Sequence, residues 1–444
     1  MATKRTSSRR AALLWEAFFA MLIMGGVVFT ILTLFTQGYL PQPYFYGSQS
    51  LFTDWSVSAY FSNNKGAYTA FQSVYPPLSF IFIRFFSISE CYKYYDDIFA
   101  SRECDWMTPA TLYVFYAINI YIVYKSFLIA DPETALMRTV AVCLGLPNLY
   151  ALERGNLVVP TFTFFILGHS RLLKSAWQKW LSLAIAINFK PYLILSIVGH
   201  VFRRKWRWFE GAAIFGLVVY LITYALNGDG DPIQVLTNIS AFATTEPRGI
   251  FERSIYASGY KPIVDLLQTS FPLMRFMGSR PIEFMEWALP LAINTGKLGI
   301  VVCFVSTIFR PGVVPVSRLA ALGIAWVLTS QDPGGYAVLF FFYLVFLERW
   351  RGAMLIVALV LTYLSSISWD YTLFKVSHET ILSRLTNREV GYDLGVNVGE
   401  FARPAMTILI EYALVGASLV DIVRALRSAP SERGIPVAQV VSIR

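Results

Sequence analysis

The sequence predicts an all-α polytopic membrane protein. We expect one integral membrane domain over residues 1–444, a bundle of about twelve transmembrane helices with extracytoplasmic loops forming a cap. Three observations predict it. Hydrophobic residues make up 56% of the chain and charged residues only 15%, against roughly 45–50% and 25% in soluble domains. The mean hydropathy is +0.53, and a single soluble core stops growing near about 250–300 residues. Lys and Arg gather between apolar runs, so the net charge of +9 reads as cytoplasmic loop charge rather than a nucleic-acid surface. This composition excludes a disordered chain, a disulfide scaffold and an ordinary cytosolic enzyme.

In chain order, Lys4, Arg5, Arg9 and Arg10 precede an apolar run at 11–36. The run is longer than a signal-peptide core and no small-residue cleavage site follows, so it reads as an uncleaved first span with a cytoplasmic N-terminus. Further runs lie at 75–88, 108–130, 134–151, 157–170, 179–201, 208–226, 287–309, 316–330, 335–348, 352–368 and 404–426. Those at 75–88, 157–170 and 335–348 fall well short of the about 20 residues a span needs. Counted as twelve spans, they leave 37–74, 227–286 and 369–403 as extracytoplasmic loops and 428–444 as a cytoplasmic tail. Arg203, Arg204, Lys205 and Arg207 then fall inside. Arg171, Lys174 and Lys179 do not fit, because the count puts them outside.

Cys143 and Cys303 lie in apolar runs and read as buried small hydrophobes. Cys91 and Cys104 share a polar segment; they pair if it faces an oxidising compartment and stay free in the cytosol. His169, His200 and His378 have no metal-cage spacing, which argues against a His-rich zinc site; no cofactor is expected, and a divalent metal stays open. Walker, Rossmann and nucleophile-elbow patterns are missing from the sequence, which favours a donor carried on lipid over a sugar nucleotide.

Asp54 is the first acid after the first span and sits among Phe52, Trp55 and Tyr60. Apolar neighbours would lift its carboxyl toward a useful base; the plainer alternative is a helix cap or a solvated loop acid. Tyr75-Pro76-Pro77-Leu78 fixes an extended approach and then a helix start. Lys190 lies inside an apolar run beside Pro191. A charge there costs about 2.5–3.5 kcal/mol on insertion scales, so it either faces a cavity and a phosphate or snorkels to the interface. Glu153 and Arg154 read as a polar turn satisfying freed helix ends, which the span count puts nearer the cytoplasm. Arg248, Arg253 and Lys261, interleaved with Phe251, Tyr256 and Tyr260, read either as a donor-phosphate clamp or as an interfacial helix. Glu16 and Arg84 are isolated charges in apolar runs, and Asn238-Ile239-Ser240 is a glycosylation sequon by pattern alone.

The order of these features resembles the GT-C superfamily of polyprenyl-phosphate-sugar-dependent glycosyltransferases. More narrowly it resembles glycosyltransferase family 87, which includes mycobacterial phosphatidylinositol mannoside mannosyltransferases. The resemblance runs through the early Asp54, the YPPL sequence at 75–78, the Glu153-Arg154-Gly155-Asn156 break and Asn188-Phe189-Lys190-Pro191. Where that family often carries a histidine, this chain has Thr329-Ser330-Gln331-Asp332-Pro333-Gly334-Gly335-Tyr336.

The resemblance implies inverting transfer of a sugar, mannose being the best guess, on the extracytoplasmic face of a bacterial inner membrane. A polyprenyl-phosphate sugar would be the donor and a glycolipid or glycan the acceptor, among membrane lipids. It implies Asp54 as base, Arg248, Arg253, Lys261 and Lys190 on the donor phosphate, and Tyr75, Trp55, Gln331, Asp332 and Tyr336 on substrate. The rival classes are a transporter or flippase of a lipid-linked sugar and a non-catalytic subunit of a polysaccharide assembly.

Overall fold

The computed structural model describes residues 2–44, 51–94, 98–227, 230–244, 259, 278–330, 333–383 and 385–428. Arg248, Arg253, Lys261, Gln331, Asp332 and nearly all of the tail lie outside the described residues.

The chain starts with α1 (Ala2–Gln37), followed by the short helices α2 (Thr53–Asn63), α3 (Pro77–Phe85), α4 (Ser89–Tyr94) and α5 (Ile98–Cys104). Then come α6 (Met107–Ala130), α7 (Ala135–Cys143), α8 (Leu146–Glu153), α9 (Val158–His169) and α10 (Ala176–Phe189). A single 3₁₀ turn (Pro191–Ile194) leads into α11 (Leu195–Phe202), α12 (Trp206–Asn227) and α13 (Gln234–Thr244). The last part holds α14 (Ser279–Phe309), α15 (Val316–Ser330), a 3₁₀ turn (Gly335–Ala337), α16 (Val338–Val345), α17 (Gly352–Ser365) and α18 (Val398–Arg427).

The protein is therefore mostly helical, with one exception to the all-α expectation. The segment 369–403 contains an antiparallel ribbon of β1 (Thr372–Leu382) and β2 (Glu389–Asn397). Among the described residues, six helical stretches are long and apolar enough to cross a membrane: Arg9–Gln37, Met107–Ala130, Ala135–Glu153, Trp206–Asn227, Glu283–Phe309 and Val398–Arg427. Five shorter apolar helices accompany them. The expectation of about twelve full spans is met only to that extent. The core surrounds α16, whose every residue is buried. By contrast α12 and α14 expose Leu217, Leu221, Leu291 and Leu298, as a lipid-facing surface would. Helices α11 and α15 come close because Gly323 has no side chain; a Cβ there would lie 2.2 Å from the Leu195 carbonyl oxygen.

Two changes to the expected path reorder the ends of the bundle. The run at 75–88 folds as the nine-residue α3, too short to traverse, and Cys91 and Cys104 beyond it form a disulfide tying α4 to α5. The run at 179–201 breaks at Lys190, whose extended backbone separates α10 from the following turn. Proline at 191 explains the break: its ring disfavours helical geometry at the residue before it.

The contacts show which turns share an end. Arg9 pairs with Asp131 and Glu133 at the α6–α7 turn. Arg138 donates to the carbonyls of Phe346 and Glu348, and Arg318 joins Glu348 to Asp421. Helices α9 and α10 both reach the opposite end, at residues 157 and 190. The turn between them, with Arg171 and Lys174, therefore lies at the N-terminal end, as does the start of α10 with Lys179. This corrects the span count that placed those cations outside.

The described parts of the three long segments touch one another. Gln42 exchanges two hydrogen bonds with the Gly395 backbone, and Ser383 donates to the Gly38 carbonyl at 2.6 Å. The Asn238 side chain donates to the carbonyls of Tyr68 (2.9 Å) and Ser73 (3.0 Å), so the sequon amide is used in the fold.

Candidate functional site

Asp54 lies in the first turn of α2, preceded by Phe52 in a left-handed conformation (φ 56°). Two backbone hydrogen bonds fasten this turn to the end of α8. Phe52 N–H donates to the Glu153 carbonyl at 2.9 Å, and Asp54 N–H donates to the Arg154 carbonyl at 3.0 Å. Gly155 makes that contact possible: its φ is +64° and a Cβ would sit 2.8 Å from the Phe52 Cα. The carboxylate is then held at both oxygens. Arg154 Nη2 reaches Oδ1 at 2.8 Å, and Asn156 Nδ2 donates to Oδ2 at 2.6 Å. Asp54 thus meets a guanidinium and an amide, not the apolar neighbours read from the sequence. It keeps lone pairs to spare, since a carboxylate accepts about four hydrogen bonds, and its side chain remains 19% exposed.

Lys190 comes to the same place from the break after α10. Its Nζ donates to the Tyr75 hydroxyl at 3.3 Å and lies 4.6 Å from the Tyr75 ring centroid and 5.7 Å from that of Tyr336. The side chain is buried, and Asp54 is its electrostatic partner. One hydrogen bond uses one of three ammonium donors. Tyr75 is positioned by the Pro76-Pro77 lead-in to α3, with Tyr68 Oη donating to its carbonyl at 3.0 Å. Burial, and then the Asp54 charge, pushes the Tyr75 hydroxyl up, so it stays a neutral phenol. Tyr336 neighbours Asp54, Tyr75, Tyr192 and Arg154. The Tyr192 hydroxyl is buried and has no hydrogen-bond partner among the described residues.

The structure therefore brings together Asp54, Tyr75, Lys190 and Tyr336 from the sequence-based set. Trp55 does not join them: it is fully buried and packs against Phe82 in the core, because helical rotation points the residue after Asp54 inward. Arg154, Asn156 and Tyr192 were missed as site residues. The Glu153–Asn156 turn was assigned to the wrong end; the signal that marks it is the Gly-Asn pair following two adjacent charges. Glu16 and Arg84 have structural uses. Glu16 pairs with Arg138, and Arg84 donates to the Ser62 carbonyl.

The arrangement is mostly buried, with the Asp54 carboxylate, two cations and several phenols close together. It can take a proton from a hydroxyl at Asp54 while Lys190 and Arg154 hold an anion beside it. The chain matches no family model, no curated protein and no solved structure.

Proposed function

We propose that the protein is an inverting glycosyltransferase that moves a sugar, best guessed as mannose, from a polyprenyl-phosphate carrier to a lipid-linked or polysaccharide acceptor. The observation that carries this reading is the meeting of Asp54 with Lys190 and Arg154 in one largely buried cluster that Asp54 and Arg154 leave 19% exposed. Transfer needs a base for the attacking hydroxyl and cations for the departing phosphate, a few ångströms apart on one anomeric carbon. Asp54 accepts the acceptor proton as oxygen attacks, the glycosyl–phosphate bond breaks with its electrons on phosphate, and Lys190 stabilises that charge. Arg154 shares itself between the Asp54 carboxylate and the phosphate. No second carboxylate is required, because phosphate leaves without protonation, unlike the alcohol of a glycoside.

The site's end of the bundle is read as extracytoplasmic. Two observations support it: the Cys91–Cys104 disulfide belongs at that end, and Arg171, Lys174, Lys179 and the Arg203–Arg207 cluster belong at the other. The location we propose, the inner membrane of a bacterium, rests on the family resemblance alone. The position of the cluster toward one end of the bundle supports this reading over a transporter, whose binding site should lie near the midplane and open to both sides.

The test uses the full chain in detergent micelles with polyprenyl-phosphate mannose and a membrane glycolipid extract. Mannosylated product is expected, and substituted-cysteine labelling in intact cells should find position 205 shielded from the external medium. Uptake of the lipid-linked sugar by sealed vesicles holding the chain, with no product formed, would favour the transporter.

A further inference from the structure

At the other end of α11 from Lys190, the turn into α12 puts four cations within five residues: Arg203, Arg204, Lys205 and Arg207. The chain reverses there without a glycine. Arg204 takes the left-handed conformation (φ 57°) that usually falls to glycine at a helix end, and Lys205 N–H donates to the His200 carbonyl at 2.9 Å. Arg203 is spent on the fold: its Nε donates to the Pro311 carbonyl at 2.6 Å, in the turn that leads into α15.

The other three cations line an open cleft of about 640 Å³ together with Trp206, Trp208 and Glu210. That volume lies in the range of about 300–1,000 Å³ that holds small molecules. Arg204, Lys205 and Arg207 are exposed and make no side-chain hydrogen bond or ion pair among the described residues. Arg138 and Arg318, at the same end, are fully paired. Three cations against one acid leave the lining net positive. More cations stand behind it: Lys179 of α10, Arg203 and Lys205 all neighbour His200, and Arg171 neighbours Lys179. The cleft therefore suits an anion, and the guanidinium forks of Arg204 and Arg207 match phosphate oxygens.

Its position says which anion. The apolar span of α12 begins at Trp206, which is 54% exposed, and Trp177 at the start of the adjoining α10 is 53% exposed. Exposed tryptophans at span ends sit at headgroup level. Trp208 is held by stacking on His200 at 3.5 Å. Arg207, Glu210, Ile214, Leu217 and Leu221 recur at three- and four-residue steps, so they share one face of α12. The three apolar members are exposed. A phosphate in the cleft thus has a hydrocarbon track leading away from it along the same helix. A soluble anion would use the cations and leave the track idle.

We infer that this cleft binds the headgroup of an anionic glycerophospholipid, whose acyl chains lie along that face of α12. The site stands apart from the transferase reading; only its assignment to the cytoplasmic leaflet rests on the orientation proposed above.

The test is native mass spectrometry of the full chain in detergent, titrated with phosphatidylglycerol or with phosphatidylcholine of the same acyl chains. At about fivefold per juxtamembrane charge, three cations against one acid give an expected preference of about 25-fold for phosphatidylglycerol. Combining Arg204→Gln, Lys205→Gln and Arg207→Gln should abolish that preference. Two variants separate charge from folding. Arg204→Gly removes a cation yet suits the left-handed backbone, so it should weaken phosphatidylglycerol about fivefold without lowering the melting temperature. Glu210→Gln should tighten it about fivefold, a gain that misfolding cannot give. Arg424→Gln with Arg427→Gln, exposed cations at the same end but outside the cleft, should leave binding unchanged. Equal retention of the two lipids, or a loss as large from the α18 pair as from the cleft, would overturn the site and reduce it to diffuse surface charge. Displacement of phosphatidylglycerol by inorganic phosphate would overturn the lipid and make the cleft a site for a soluble anion.

Discussion

Two charged clusters at opposite ends of the bundle differ in how much of their bonding capacity is used. At the N-terminal end Glu16 and Arg138 are 0% and 1% exposed and wholly engaged. Arg138 forks onto Glu16 and also donates to two carbonyls, while Tyr363 and Trp350 complete the Glu16 shell. Arg318 likewise forks onto Glu348 at 2.9 and 2.7 Å and adds Asp421. At the other end Asp54 and Arg154 are each 19% exposed, Lys190 has a single hydrogen bond among the described residues, and Tyr192 has none. A closed network has spent its bonding capacity on the fold. An open one holds capacity for something that comes and goes. The sequence shows charges in apolar runs at both ends; only the completeness of their shells separates structure from function.

The largest test of that contrast is Asp54→Asn. It keeps the Arg154 and Asn156 neighbours but cannot take a proton, so transfer should fall about 10²–10⁴-fold with the melting temperature nearly unchanged. Near-normal turnover would remove the proposed base. Arg138→Ala should do the reverse. Stranding the Glu16 carboxylate costs about 3–5 kcal/mol of stability, visible in a thermal melt, while the folded fraction keeps its turnover. If Arg138→Ala melts like the wild type, the closed network is not structural.

Lys190→Gln should be intermediate, raising the apparent KM for the polyprenyl-phosphate donor about 10–100-fold through loss of a charge-assisted hydrogen bond. A change confined to the acceptor KM would move the phosphate elsewhere. The smallest effect belongs to the ribbon. Hydrogen bonds from Lys375, and then His378, hold the exposed Asp393 carboxyl below its usual range. Its contribution is therefore present above the unfolded value of about 3.9 and lost as pH falls through the lower folded value. Because the group is exposed, Lys375→Ala should leave the melting curve between pH 5 and 7 unchanged; a clear drop would make the ribbon part of the cooperative core.

Asp54, Tyr75 and Lys190 were legible because each breaks a strong background: an acid directly after a span, a double proline, a charge in hydrocarbon. Arg154 and Asn156 were not, for a reason of parity. Hydropathy cannot tell a nine-residue core helix such as α3 from a short span, nor see that one apolar run is two helices meeting at Lys190. Those two errors offset each other by residue 203, so the count still puts Arg203–Arg207 at the N-terminal end. Between them, every turn from 131 to 179 is inverted. The misfit of Arg171, Lys174 and Lys179 was the visible trace of the inversion. Tyr192 had no such trace, being one of 25 tyrosines whose role depends entirely on where α10 stops.

The disulfide carries a practical consequence for anyone handling the protein. It closes a loop with a sequence separation of 13 residues beneath α2, the helix that presents Asp54. Closing about 15 residues is worth about 3 kcal/mol in the chain-entropy account. A preparation kept in thiol reductant, or expressed without oxidative folding, should lose its grip on α2 while every side chain around the site remains intact. Activity lost during purification would then be restored by a change of buffer, with no change to the gene.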